Sequence, residues 1–168
     1  LEFGDKLRYR KAPSVGAAHA ISIEEFAALS RYAKDRNIEI SPLVQGLGHA
    51  SFILKQEEYK KLRENPKSDW TFSPLDSGTY DLQFTLYKEA MEATPFGKYL
   101  HVGGDEVSFL GMSELSKRSG LKPFELQMHW LNRVCEFARR NNRIPIFWHD
   151  MQWKLSGPYQ TTHDEKTP

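Results

Sequence analysis

Asp105 and Glu106 stand side by side at the end of Tyr99-Leu-His-Val-Gly-Gly-Asp-Glu-Val107, a short apolar run broken by two glycines. Two carboxylates serving one site suit acid–base work on sugars, because one can carry a proton while the other stabilises developing positive charge. Spacing decides whether they can meet. Inside a strand, neighbouring side chains point to opposite faces and would be divided. Beyond a Gly-Gly break the backbone is free to bend, and both can serve one place. The plain alternative is a solvated acidic turn after a strand. His49 holds a comparable position after the apolar run that ends at Val44, and Trp148 and Asp150 close the run that starts at Ile144.

Several elements must deliver these residues, beginning with Leu1-Glu-Phe3, which reads as the tail of a strand entering a loop. Ser22 caps a helix with Glu25 at capping-box spacing, and Ile23, Phe26, Ala27, Ser30 and Ala33 form its inward stripe, with Asn37 as the stop. A strand over 38–44 follows, with a turn at Pro42 near its end, and Gln45-Gly-Leu-Gly-His49 is the loop beyond it. Residues 52–63 read as a helix ending before Asn65-Pro66, 67–79 as a loop, and 80–93 as a crossover helix. After the strand at 99–102, a short helix at 114–119 stops at Gly120, and Pro123 starts another carrying Phe124, Met128, Leu131, Cys135 and Ala138. A strand over 144–148 closes the order, and Ser156 onward is a polar tail or loop. Strand, helix, strand, helix, helix, strand, helix, strand is an α/β pattern with parallel strands. In a parallel barrel the active site lies at the carboxyl ends of the strands, where His49, Asp105, Glu106, Trp148 and Asp150 all fall.

Composition bounds the function from the other side. The 168 residues carry 23 basic and 22 acidic side chains, a net charge of +1, with no long block of one sign, which argues against a nucleic-acid surface. No apolar run reaches the length of a membrane span. The lone Cys135 excludes an internal disulfide. The first residues, Leu-Glu-Phe-Gly-Asp-Lys, hold no signal peptide and no initiator methionine, which fits a chain cut from a longer precursor.

His101-Val-Gly-Gly-Asp-Glu106 resembles the His-x-Gly-Gly-Asp-Glu signature of glycoside hydrolase family 20, the β-N-acetylhexosaminidases. Pro42-Leu-Val-Gln-Gly-Leu-Gly-His49 upstream and Ile146-Phe-Trp-His-Asp-Met151 downstream fall in the family's order and spacing. The resemblance runs from about Leu1 to about Trp153 and implies a (β/α)8 barrel, of which this chain would hold about four units, the second to the fifth strand. It implies an exo-acting, retaining enzyme that removes terminal N-acetylhexosamine from oligosaccharides or glycoconjugates and needs no cofactor. Glu106 matches the general acid/base. Asp105 matches the residue that orients the 2-acetamido group, whose oxygen attacks the anomeric carbon to form an oxazolinium-type intermediate. His49 matches a histidine supporting the pair, against the alternative of a loop histidine satisfied by backbone. Trp148 matches a wall for the acetamido methyl or sugar face, against that of a core tryptophan, and Asp150 a polar contact on the leaving-group side. His101, inside the strand, is expected in the barrel interior behind the reacting residues, while Trp153, Trp70 and Phe72 read as structural or outer-cleft residues with no assigned role.

The family's sugar-clamping arginine would lie ahead of Leu1, and aromatic walls and a tyrosine on the last three strands would also be missing. The chain on its own is therefore expected to show little activity, and the exposed sheet edges of a partial barrel invite self-association. Family resemblance also points to a periplasmic, cell-surface or secreted home. Two other readings compete. One is a metal-dependent barrel hydrolase built on His49, His101, His149, Asp105 and Glu106, although no His-x-His or Glu-x-x-His spacing occurs. The other is a non-catalytic carbohydrate-binding module.

Overall fold

The computed structural model describes residues 1–151; Trp153 and the polar stretch 156–168 lie outside them. Ten elements follow one another: β1 (Leu7–Arg8), β2 (Ile21–Ser22), α1 (Ile23–Lys34), β3 (Leu43–Gly46), α2 (Ser51–Leu54), α3 (Ser77–Ala93), β4 (Tyr99–Gly103), α4 (Glu114–Ser119), α5 (Pro123–Arg140) and β5 (Ile144–Ile146). β3, β4 and β5 form a parallel sheet with β4 in the centre, in register Leu43 with His101 and Tyr99 with Ile144. Glu2 makes a parallel bridge to Leu43, so the N-terminal residues occupy a fourth position at the β3 edge. α1, α3 and α5 are the crossovers between successive positions. Four sequential parallel positions joined by helices make a portion of a (β/α) barrel.

Local chemistry places the helices. Ser22 Oγ accepts the Glu25 N–H at 3.1 Å and Glu25 Oε2 accepts the Ser22 N–H at 2.9 Å, closing a capping box at the start of α1. Ile23, Phe26, Ser30 and Ala33 are its buried residues. Asp76 caps α3 through the Gly78 N–H at 2.8 Å, so that helix starts three residues before the expected Tyr80. Gly120 ends α4 in the left-handed region, and Pro123 opens α5. The buried face of α5 is Leu126, Gln127, Trp130, Leu131, Val134, Cys135 and Ala138, leaving the expected Phe124 and Met128 half-buried. Trp130 lies in the middle of that face, and its indole N–H donates to Gln83 of α3 at 2.9 Å, which ties the two crossover helices together.

Two expected elements take another form. The helix over 52–63 is broken into α2 and a 3-10 turn at Glu57–Leu62. Arg63 reaches back and donates to the Leu54 carbonyl from Nε at 3.0 Å and Nη2 at 2.7 Å, occupying the acceptor that would have continued α2. The strand expected over 38–44 begins only after Pro42 and runs on into Gln45 and Gly46, leaving Ile38 exposed. The proline lacks the N–H a central strand would use, so regular pairing of β3 starts beyond it.

The helices cover one face of the sheet. Val44, Leu100 and Val102 are fully buried there with Leu86, Tyr87, Ala90, Trp130 and Val134. Each such large side chain contributes about 1.5–3 kcal/mol by leaving water. Among the described residues, no helix is long and apolar enough to cross a membrane.

Candidate active site

The chain leaves β3 and β4 through two loops that meet above the carboxyl end of the sheet. Close approach explains one glycine. A Cβ on Gly48 would stand 2.5 Å from the Asp105 carbonyl oxygen, so only glycine lets the β3 loop lie against the β4 loop. Gly104 has φ +96°, and its missing Cβ faces the Trp130 indole at 3.1 Å. Its carbonyl accepts the Gln127 side-chain amide at 3.1 Å, so α5 sets the height at which the acidic pair leaves the strand. Leu47, His49 and Glu106 all have positive φ (63°, 51° and 45°), a conformation worth about 1–3 kcal/mol of strain in a non-glycine residue and one that clusters at functional sites.

These turns bring three of the five sequence-derived candidates together. His49 Nε2 lies 3.3 Å from Asp105 Oδ2 and 3.3 Å from Glu106 Oε2, so one imidazole edge faces both carboxylates. The two environments differ. The Asp105 side chain is 24% exposed and that of Glu106 is 66% exposed. Asp150 approaches from the β5 side, where Oδ2 accepts the Glu106 backbone N–H at 3.3 Å. Trp148 donates its backbone N–H to the Gly103 carbonyl at 3.0 Å, and its ring lies 4.7 Å from that of His101. Its side of the sheet is open among the described residues, and Trp148 is 46% exposed there.

His101 points to the inner face of the sheet. Its Nδ1 accepts the Gly103 N–H at 3.1 Å, which requires that nitrogen to be unprotonated. Burial holds its pKa below the ordinary histidine value, against the opposing pull of the Asp105 charge. Among the described residues, no three His, Cys, Asp or Glu side chains are grouped so as to hold a metal ion.

Trp70, read from sequence as a structural or outer-cleft residue, belongs to the frame of the site. Its indole N–H donates to the Glu106 carbonyl at 2.9 Å and its ring lies 4.4 Å from that of His49. The only sequence signal was an aromatic residue in a polar loop between two crossover elements. Trp130 was likewise absent from the expected helix stripe, although a large aromatic flanked by apolar residues at helical spacing is a core signal.

The catalytic-domain model of glycosyl hydrolase family 20 matches residues 8–166. The chain belongs to that family. Hexosaminidase D of Bos taurus is 31% identical to it over 141 residues, covering 80% of this chain and 41% of the bovine protein. Among solved structures, the chitobiase of Flavobacterium johnsoniae superposes with a TM-score of 0.71 at 23% identity, over 87% of this chain and 25% of that one. The β-N-acetylhexosaminidase of Bacteroides fragilis superposes with a TM-score of 0.71 at 24% identity, over 88% of this chain and 32% of that one. The chain thus spans less than half the length of each of these relatives, and its fold is a portion of the family 20 barrel.

Proposed function

We propose that the protein is a retaining β-N-acetylhexosaminidase that removes a terminal 2-acetamido sugar with the help of the substrate's own amide. The observation that carries this reading is the convergence of Asp105 and Glu106, 3.3 Å each from one His49 nitrogen, at the carboxyl end of a parallel strand. In the first step the acetamido oxygen bonds to the anomeric carbon as the glycosidic C–O bond breaks. The departing oxygen takes its electron pair and a proton from Glu106. In the second step the Glu106 carboxylate takes a proton from water, whose oxygen bonds to the same carbon and reopens the oxazolinium ring. Asp105 accepts the amide N–H and stabilises the positive charge that develops on that group.

The exposures suit this division. Glu106 is open to an aglycone and to water, while the more enclosed Asp105 is shielded enough for its charge to matter. Trp148 offers an apolar ring to the sugar face or acetamido methyl, and Asp150 holds the backbone of Glu106. The 168-residue chain by itself is expected to turn over little, since a site this open does not exclude water.

The test compares an aryl β-glycoside carrying a 2-acetamido group with the same glycoside carrying a 2-hydroxyl, using the protein at its natural length. Turnover of the first alone, with both Glu106→Gln and Asp105→Asn down by about a hundredfold or more, is expected. Equal turnover of both glycosides would remove the amide from the mechanism and Asp105 from its role.

A further inference from the structure

Glu64 is a carboxylate with no exposure to solvent, far in sequence from the acidic pair. Burying an ionisable group costs several kcal/mol unless hydrogen bonds offset it. Its Oε1 accepts two backbone N–H groups of the loop that follows β4, from Gly111 at 2.8 Å and Met112 at 3.1 Å. Around it, residues 62–73 form a narrow antiparallel hairpin, with Glu64 N–H donating to the Thr71 carbonyl at 2.9 Å and Ser73 N–H to the Leu62 carbonyl at 2.7 Å.

That hairpin follows the β4 loop along its length. At one end Trp70 bonds the Glu106 carbonyl; next, Thr71 Oγ1 accepts the Ser108 N–H at 3.4 Å; then Glu64 holds Gly111 and Met112; last, Ser73 and Ser113 hydroxyls meet at 3.3 Å. The loop so held contains three residues of positive φ, at Glu106, Phe109 and Gly111. A backbone of this kind persists only where its surroundings over-determine it. The other side of the hairpin is tied to the β3 loop, through Phe72 N–H to the Leu47 carbonyl at 2.9 Å and Ala50 N–H to the Trp70 carbonyl at 3.0 Å.

We propose that Glu64 is a positioning residue of the active site: its buried carboxylate clamps residues 107–112 so that Glu106 keeps its turned backbone and its carboxyl group stays beside His49. The inference rests on the hexosaminidase reading for its kinetic consequence and not for the clamp itself. A general acid matters most when the leaving group is poor, so a misplaced Glu106 shows itself as selective loss on such substrates.

The experiment uses Glu64→Ala and Glu64→Gln in the protein at its natural length, with two readouts. Backbone amide exchange over 106–113 should quicken in Glu64→Ala while α3 and α5 keep their protection. Turnover should fall by about a hundredfold for an aryl 2-acetamido-glycoside with a poorly acidic phenol. The loss should be far smaller for a dinitrophenyl leaving group, with KM little changed. Glu64→Gln, which keeps an acceptor oxygen in place, should recover most of both, and Glu64→Leu, which fills similar volume without an acceptor, carries the comparison if Glu64→Ala does not fold. Loop exchange left unchanged, or equal losses on both leaving groups, would overturn the proposal. A wild-type protein inert on both glycosides would sink the hexosaminidase reading instead, and amide exchange would then decide the clamp alone.

Discussion

The two faces of β4 differ in burial. Leu100 and Val102 point to the helices and are fully buried, whereas Tyr99 is 37% exposed and His101 half-buried on the other side. β5 continues the open side beside it, with Ile144 56% exposed and Ile146 also open, although its Pro145 is only half-buried. The packed face determines where the strand ends. Trp130 and Gln127 of α5 meet Gly104 there, so the core fixes the height of the acidic pair. His101 and Trp148 meet on the open face, while His49, Asp105 and Glu106 gather beyond the strand ends. Full burial and partial exposure thus fall on opposite sides of one five-residue strand.

The largest expected effect breaks this contrast from the packed side. Trp130→Ala removes a fully buried indole and its bond to Gln83, and should destabilise the fold by about 3–5 kcal/mol in denaturant melts. Ile144→Ser, on the open face of the neighbouring strand, should stay within about 0.5 kcal/mol. Equal losses would mean that the open face is packed in solution.

A second effect sharpens the contrast without altering the fold. Tyr99, Ile144, Ile146, Phe147 and Trp148 are exposed apolar residues on β4, on β5 and just beyond it, and exposed apolar side chains at a sheet edge invite pairing. The 168-residue chain is expected to associate as its concentration rises, and Ile144→Lys with Ile146→Lys should shift it to monomer. Sedimentation velocity on the two proteins measures this directly. A wild-type chain that stays monomeric at high concentration would show that exposure here does not lead to association.

The same contrast explains what could be read from the chain alone. Signals confined to a few neighbouring residues translate directly into structure: the Ser22–Glu25 box, the Gly120 stop, Pro123 at a helix start, and the Gly-Gly break that lets Asp105 and Glu106 face one imidazole. What could not be read depends on partners distant in sequence. The break after α2 follows from Arg63 capturing the Leu54 carbonyl, and the place of Trp70 depends on a carbonyl 36 residues away. Glu64 gave no signal, because a glutamate in a charged stretch looks solvated until the fold encloses it. Local rules write the elements, and long-range hydrogen bonds write the frame around the site.

The smallest expected effect distinguishes the faces by pH. Leu100 and Val102 do not titrate, but His101 does, and burial holds its pKa below the ordinary value while Asp105 opposes it. A folded site that resists a proton loses ground to the unfolded chain as soon as that chain accepts one. At pH 8 both states hold a neutral imidazole and His101 adds no pH-dependent penalty. As pH falls through about 6.5 the unfolded chain takes up the proton first, so stability is lost in that window. Protonation of Nδ1 would also break the bond it accepts from the Gly103 N–H, at the hinge that carries the acidic pair. His101→Gln keeps an acceptor for that N–H and cannot titrate. Denaturant melts at pH 8 and pH 5.5 should therefore show a larger drop for the wild-type chain than for the variant. Equal drops would assign the acid sensitivity to other groups and leave the inner face of β4 as indifferent to pH as the packed one.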